Sequence, residues 1–134
     1  MADGLTKTPT TPSILVAETE AGSRASLSEL LREEGFVVVE AADSDSAITQ
    51  IRRNLGLKII LADLEMPSWT SLIRHARDHV PNSFILGMIR YSALPNALEA
   101  ERLGANGYLV KPLMFTEVNE WIQRCLTGQS RIKI

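Results

Sequence analysis

An α/β fold with a parallel sheet is predicted by three features of the chain. Five short apolar runs alternate with five segments of helical periodicity. The central run, Ile59-Ile60-Leu61-Ala62, has no polar alternation, as suits a strand buried on both faces. Glycine or proline stands at the end of almost every helical segment, at Gly35, Gly56, Pro81, Gly104 and Gly128.

In order, residues 1–12 are rich in Thr and Pro, have little to bury, and are expected to be a disordered leader. Residues 13–17, Ser-Ile-Leu-Val-Ala, make the first strand, and Glu18-Thr19-Glu20 follow it. A helix over residues 23–34 carries Leu27, Leu30 and Leu31 on one stripe and stops at Gly35. Residues 36–40 are aromatic and β-branched, a second strand. Asp43 is placed to cap a helix whose apolar positions are Ala47, Ile48, Ile51 and Leu55, with Gly56 as its end. The third strand covers residues 58–62. Asp63 stands at its carboxyl end, and Pro67 stops the run. Taken alone, Asp63 is either a helix-capping acid or a ligand-facing one, because open α/β sheets bind at the carboxyl ends of their strands.

Residues 70–79 form a third helix through Leu72, Ile73 and Ala76, and Pro81 prevents its continuation. Residues 84–89 are the fourth strand. Ser92 and Pro95 start a helix through Leu98 and Leu103 that Gly104 closes. Residues 107–110 are the fifth strand, ending on Lys111-Pro112. The last helix places Val118, Trp121, Ile122 and Cys125 at i, i+3, i+4 and i+7. Residues 128–134 read as a tail or the start of a linker. One domain over residues 13–127 results.

Composition narrows the function. A net charge of -2 with 22% charged residues argues against a nucleic-acid-binding stripe or a polybasic membrane patch. No run approaches the roughly 18 apolar residues of a membrane span, and no signal-peptide core is present, so a cytoplasmic protein is expected. A single cysteine, Cys125, leaves no internal disulfide. It lies on an apolar helix face, where packing is its expected role. His75 and His79 share a helix face but have no third ligand in view, and are read as surface residues.

Polar residues now stand at three strand ends: Glu18-Thr19-Glu20, Asp63 and Lys111-Pro112. In a doubly wound sheet ordered 2-1-3-4-5, these ends meet at one crevice. Together, Ile14-Leu15-Val16 with an acid following, Asp63-Leu64-Glu65-Met66-Pro67, and Gly104-Ala105-Asn106-Gly107-Tyr108-Leu109-Val110-Lys111-Pro112 resemble the receiver domain of two-component response regulators. The resemblance implies a flavodoxin-like sheet of that order flanked by five helices. It implies a signalling module, not an enzyme, in which Asp63 accepts a phosphoryl group from a sensor histidine kinase or phosphotransfer protein. Lys111 would supply positive charge, and a cis Lys111-Pro112 bond would orient it. Magnesium would be held by Glu18, Asp63 and the main-chain carbonyl of Glu65. Tyr108 matches the family's switch aromatic, and the face of helix 4, strand 5 and helix 5 would meet a partner or output domain.

Three departures accompany the match. Thr19 stands where receivers carry a second acid, which predicts weak or absent magnesium binding; it reads as a helix cap more than a ligand. Ile89 replaces the Thr or Ser whose hydroxyl bonds the phosphoryl group, and Arg90 replaces a small residue. That guanidinium either reaches toward Asp63 and Glu18 or turns out to solvent. Ser71 replaces a glycine, so the loop after Pro67 is expected to take a different path. These departures keep a second class open, a phosphorylation-independent pseudo-receiver acting as an interaction module. A phosphatase-type enzyme has less support: no glycine-rich phosphate loop follows strand one, and Asp63-Leu64-Glu65 lacks the second aspartate of a haloacid-dehalogenase nucleophile motif.

Overall fold

β1 (Ser13–Ala17) lies between two neighbours, with β2 (Val37–Ala41) on one side and β3 (Leu57–Asp63) on the other. In the computed structural model, which describes residues 13–128, β4 (Phe84–Ile89) pairs with β3, and β5 (Gly107–Val110) completes the sheet. All pairings are parallel, and the order is β2-β1-β3-β4-β5, as expected. The segments expected as leader and tail, residues 1–12 and 129–134, lie outside the described residues.

The pleat sends alternate side chains to opposite faces. Leu15, Ala17, Ile60, Ala62, Ile85 and Ile89 face one core with Ala47, Ile51, Leu72, Ile73, Ala76, Ala97 and Ala100. Those residues belong to α2 (Ser44–Arg53), α3 (Trp69–His79) and α4 (Leu94–Arg102). Ile14, Val16, Ile59, Leu61, Leu86 and Met88 face the other core. There they meet Leu27 and Leu31 of α1 (Ala21–Glu33) and Val118, Ile122 and Cys125 of α5 (Phe115–Leu126). Burial on both faces is why the strand runs show no polar alternation.

Several boundaries differ from expectation for local reasons. Glu20, not Thr19, is the N-cap of α1, and its carboxylate accepts from the Ser23 and Gly22 main-chain N–H groups at 2.6 and 3.2 Å. Asp43 caps α2 in a reciprocal capping box with Ser46. That helix closes at Asn54, ahead of Gly56, as Asn54 N–H bonds Ile51 O. Ser92 falls in a 3₁₀ turn (Tyr91–Ala93) that precedes α4, so it does not cap that helix. Ser71 lies inside the first turn of α3, and the chain bends at Ser68, whose φ of 64° is left-handed. Trp69 begins α3 half-buried, and Trp121 is half-buried as well.

Two glycines are required by close approach. A Cβ on Gly107 would lie 2.7 Å from the Trp121 ring, and one on Gly87 would overlap the Leu64 side chain. Gly87 therefore lets Leu64, the residue after Asp63, tuck behind β4.

Candidate functional site

Strand register brings the polar ends together. Ala17 is level with Ala62, Asp63 with Met88, and Ile89 with Val110, so Glu18, Asp63, Arg90 and Lys111 share the carboxyl edge of the sheet. Main-chain bonds extend the ladder beyond the strands: Leu64 N–H to Met88 O at 3.0 Å and Lys111 N–H to Ile89 O at 2.7 Å. The Lys111–Pro112 bond is cis.

Asp63 is the last residue of β3 and only 4% exposed. Its Oδ2 accepts from Thr19 N–H at 3.3 Å, and its Oδ1 accepts from Glu65 N–H at 3.0 Å. Lys111 Nζ lies 3.7 Å from that Oδ1 and 2.8 Å from Glu18 Oε1. Glu18 is buried, and its Oε2 accepts from Glu20 N–H at 2.9 Å. Two buried carboxylates therefore converge on one ammonium. Such a cluster stands only while its members are paired and hydrogen-bonded, since an unpaired buried charge is costly.

The other expected site residues are placed as follows. Thr19 contributes its main chain, while the residue as a whole is exposed. Ile89 is fully buried in the core and brings no donor to the edge. Tyr108 is half-buried against the same core. Pro112 lines a groove of about 500 Å³ between α1 and the start of α5, whose wall includes Glu18, Lys111, Leu27, Leu30 and Phe115.

Arg90 does not reach Asp63 or Glu18. Its side chain turns outward, 72% exposed, and pairs there with Glu65. Its Nε and Nη2 donate to Glu65 Oε1 at 2.8 and 2.6 Å, and its main-chain N–H donates to Glu65 Oε2 at 2.8 Å. Glu18 and Asp63 already share Lys111, whereas Glu65 lies at the rim beside the end of β4. The Arg90 hydrogen bonds hold the Glu65 carboxyl below its ordinary pKa, and the same contact raises that of Arg90.

Some positioning residues gave no sequence signal. Arg24 Nη1 donates to Glu18 O at 2.8 Å and braces the loop after β1. Asn96 Nδ2 donates to Leu64 O at 2.7 Å, and Ser44 Oγ to Pro67 O at 2.7 Å, so α4 and α2 both hold the loop after Asp63. Away from the site, His75 and His79 stack with ring centroids 5.7 Å apart. Among the described residues, no group of three or more His, Cys, Asp or Glu side chains is placed to hold a metal.

Residues 14–123 match the model of the response regulator receiver domain. The chain belongs to that family. Receivers are the phosphorelay modules of two-component signalling, generally bind magnesium at an acidic pocket, and pair with histidine kinases or phosphotransfer proteins. Among curated relatives, the receiver is 28% identical over 122 residues to the regulatory protein AtoC of Escherichia coli, covering 90% of this chain and 26% of that protein. It is 30% identical over 109 residues to the transcriptional regulatory protein PdtaR of Mycobacterium tuberculosis, covering 78% of this chain and 52% of that protein. It thus spans about a quarter of the first and about half of the second. Among solved structures, the receiver domain of AraT from Geobacillus stearothermophilus is 27% identical with a TM-score of 0.80, over 91% of this chain and 98% of that one. The receiver domain of Ssk1 from Saccharomyces cerevisiae, crystallised with the histidine phosphotransfer protein Ypd1, shares the fold with a TM-score of 0.79 at 20% identity, over 92% and 94% of the two chains.

Proposed function

We propose that Asp63 accepts a phosphoryl group from a sensor histidine kinase or phosphotransfer protein, and that the modified receiver alters its affinity for a partner or output domain. The observation that carries this reading is the setting of Asp63. It is buried at a strand end, both oxygens are oriented by main-chain N–H groups, and Lys111 lies 3.7 Å away. A carboxylate oxygen of Asp63 attacks the phosphorus of a phosphohistidine. An O–P bond forms, the N–P bond breaks, and the electron pair stays on the imidazole nitrogen. The Thr19 and Glu65 N–H groups hold the nucleophile in line, and Lys111 offsets charge on the transferring oxygens.

The pocket suits a hydrated magnesium ion, since Glu18 and Asp63 already converge on one cation. Glu18, Asp63 and the Glu65 carbonyl would hold the ion, which when bound supplies further neutralisation of phosphoryl charge. Thr19 adds no carboxylate, and Lys111 competes for the same two acids, so weak affinity follows. Partner contact is assigned to the α4–β5–α5 face, where Leu98 is 56% exposed. Among the described residues no helix is long and apolar enough to cross a membrane.

Incubation with a small phosphodonor and magnesium, read by intact mass, tests the assignment. One phosphoryl addition is expected in the parent and none in Asp63→Asn; equal yield in both overturns it. A second reading, the phosphorylation-independent interaction module, is favoured by the complete burial of Ile89, which leaves the strand-4 end without the hydroxyl of the usual switch. No mass gain in the parent, with partner binding intact, would select that reading.

A further inference from the structure

At the rim of the pocket three hydrogen bonds converge on one carboxylate. Arg90 grips Glu65 through Nε, Nη2 and its own main-chain N–H, at 2.6 to 2.8 Å. The contact bridges the end of β4 to the loop after β3. The Glu65 side chain is 19% exposed and that of Arg90 72%, so the pair lies over the edge of the pocket and does not fill it. Glu65 is also tied to the chemistry below, because its N–H donates to Asp63 Oδ1. The field of Asp63 acts on Arg90, and that of Lys111 on Glu65. Glu18, Asp63, Glu65, Arg90 and Lys111 thus form one network of three negative and two positive charges.

Converting the Asp63 carboxylate to an acyl phosphate raises the local negative charge from one to about two. A phosphoryl group is as good a fork partner for a guanidinium as a carboxylate is. An exposed ion pair is weak and exchanges readily. At this strand end Ile89 offers no donor, so the guanidinium is the only mobile one that the last two residues, Ile89 and Arg90, can supply.

We propose that Glu65 and Arg90 form a charge-operated latch on the pocket. It is closed while Asp63 is a free carboxylate. It opens when phosphoryl oxygens on Asp63 displace Glu65 and take Arg90 as their hydrogen-bond donor. Arg90 then supplies through its guanidinium the hydrogen bond that a strand-end hydroxyl would otherwise give. The latch rests on the reading of Asp63 as the phosphoacceptor, and it makes Arg90 a phosphoryl-contacting residue of that site.

The test uses the full chain with magnesium and acetyl phosphate as the probe, in the parent, Asp63→Asn, Glu65→Gln, Arg90→Ala and Arg90→Lys. Initial rates of phosphoryl incorporation are read by intact mass, and the Arg90 Nε–H signal is followed by NMR. Arg90→Ala leaves Glu65 an unneutralised anion facing an anionic donor, and a rate about fivefold to tenfold lower is expected. Glu65→Gln frees the guanidinium, and a rate higher by a similar factor is expected. Arg90→Lys keeps the charge and recovers part of the loss. The Arg90 signal shifts on phosphorylation of the parent and stays fixed in Asp63→Asn. Incorporation in Glu65→Gln but not in the parent would mean a pair that never opens, and overturns the latch. A pair that merely braces the loop moves both neutralising variants in the same direction. That result, or equal rates in all, or an unshifted Arg90 signal in the phosphorylated parent, overturns the latch and leaves the phosphoacceptor standing. No incorporation in any variant removes the phosphoacceptor itself and the latch with it.

Discussion

Replacing Lys111 with methionine keeps most of the side chain's length and removes its charge. In the parent the ammonium lies 2.8 Å from Glu18 and 3.7 Å from Asp63, and both acids are under 5% exposed. With an effective dielectric of about 20, Coulomb's law assigns about 6 and about 4.5 kcal/mol to those two separations. Desolvation of the three ions costs several kcal/mol each and offsets most of that sum. Lys111 keeps 24% of its side chain exposed, so water already weakens the contacts that the substitution removes. A net loss of about 2–4 kcal/mol is expected, chiefly the penalty of two buried carboxylates left without a cation. That is a large share of the about 5–15 kcal/mol that holds an ordinary domain folded. Urea unfolding followed by circular dichroism at neutral pH measures it. Repeating the titration with magnesium probes the cause, because an ion that binds only the folded state adds about 2.7 kcal/mol at a hundredfold excess over its Kd. Magnesium should restore more stability to Lys111→Met than it adds to the parent. Coincident unfolding midpoints for the two proteins, with and without magnesium, would mean that this ammonium does not balance the acids.

Thr19→Asp places a carboxylate beside Asp63, and calorimetric titration should show magnesium affinity rising by about tenfold or more; an unchanged affinity would mean that the side chain at this position stays outward. The Glu65 carboxyl is held below its ordinary value of 4.5 by Arg90, so its pairing stabilises the fold above that pH and the contribution is lost as pH falls through the depressed value. Parent and Glu65→Gln should therefore differ by less than about 1 kcal/mol at pH 7, given the exposure of Arg90, and converge as the pH falls through the depressed value; a gap that widens in acid contradicts the pairing. Burial pushes the Cys125 thiol up to about 11. Its thiolate fraction at pH 8 is then about a thousandth, and a disulfide reagent should label native protein at least about a hundredfold more slowly than urea-unfolded protein. Equal labelling rates would place Cys125 at the surface.

What the chain alone determined is whatever depends on local pattern and on the ends of elements. Ile59-Ile60-Leu61-Ala62 reads as a strand because its face pattern has no polar member, and both faces of β3 are indeed buried. Leu27 with Leu31, and Val118 with Ile122 and Cys125, mark helix faces because 3.6-residue periodicity survives without knowledge of the partner. Asp63 and Lys111 could be placed at one edge because parallel topology puts every strand's carboxyl end on the same side. The tertiary structure decided the pairings. Arg90 meets Glu65 across 25 positions of sequence, in competition with Glu18 and Asp63, which Lys111 already holds. That choice turns on distances of a few ångströms between side chains from different strands, which no local pattern encodes. The same holds for Asn96 on the Leu64 carbonyl and for Arg24 on the Glu18 carbonyl, polar residues that look like ordinary helix surface until another element's loop is brought beneath them. The cap of α1 shows the limit at its smallest. Thr19 and Glu20 are both fit to cap, and the helix that begins at Ala21 takes Glu20, whose carboxylate reaches the Gly22 and Ser23 N–H groups.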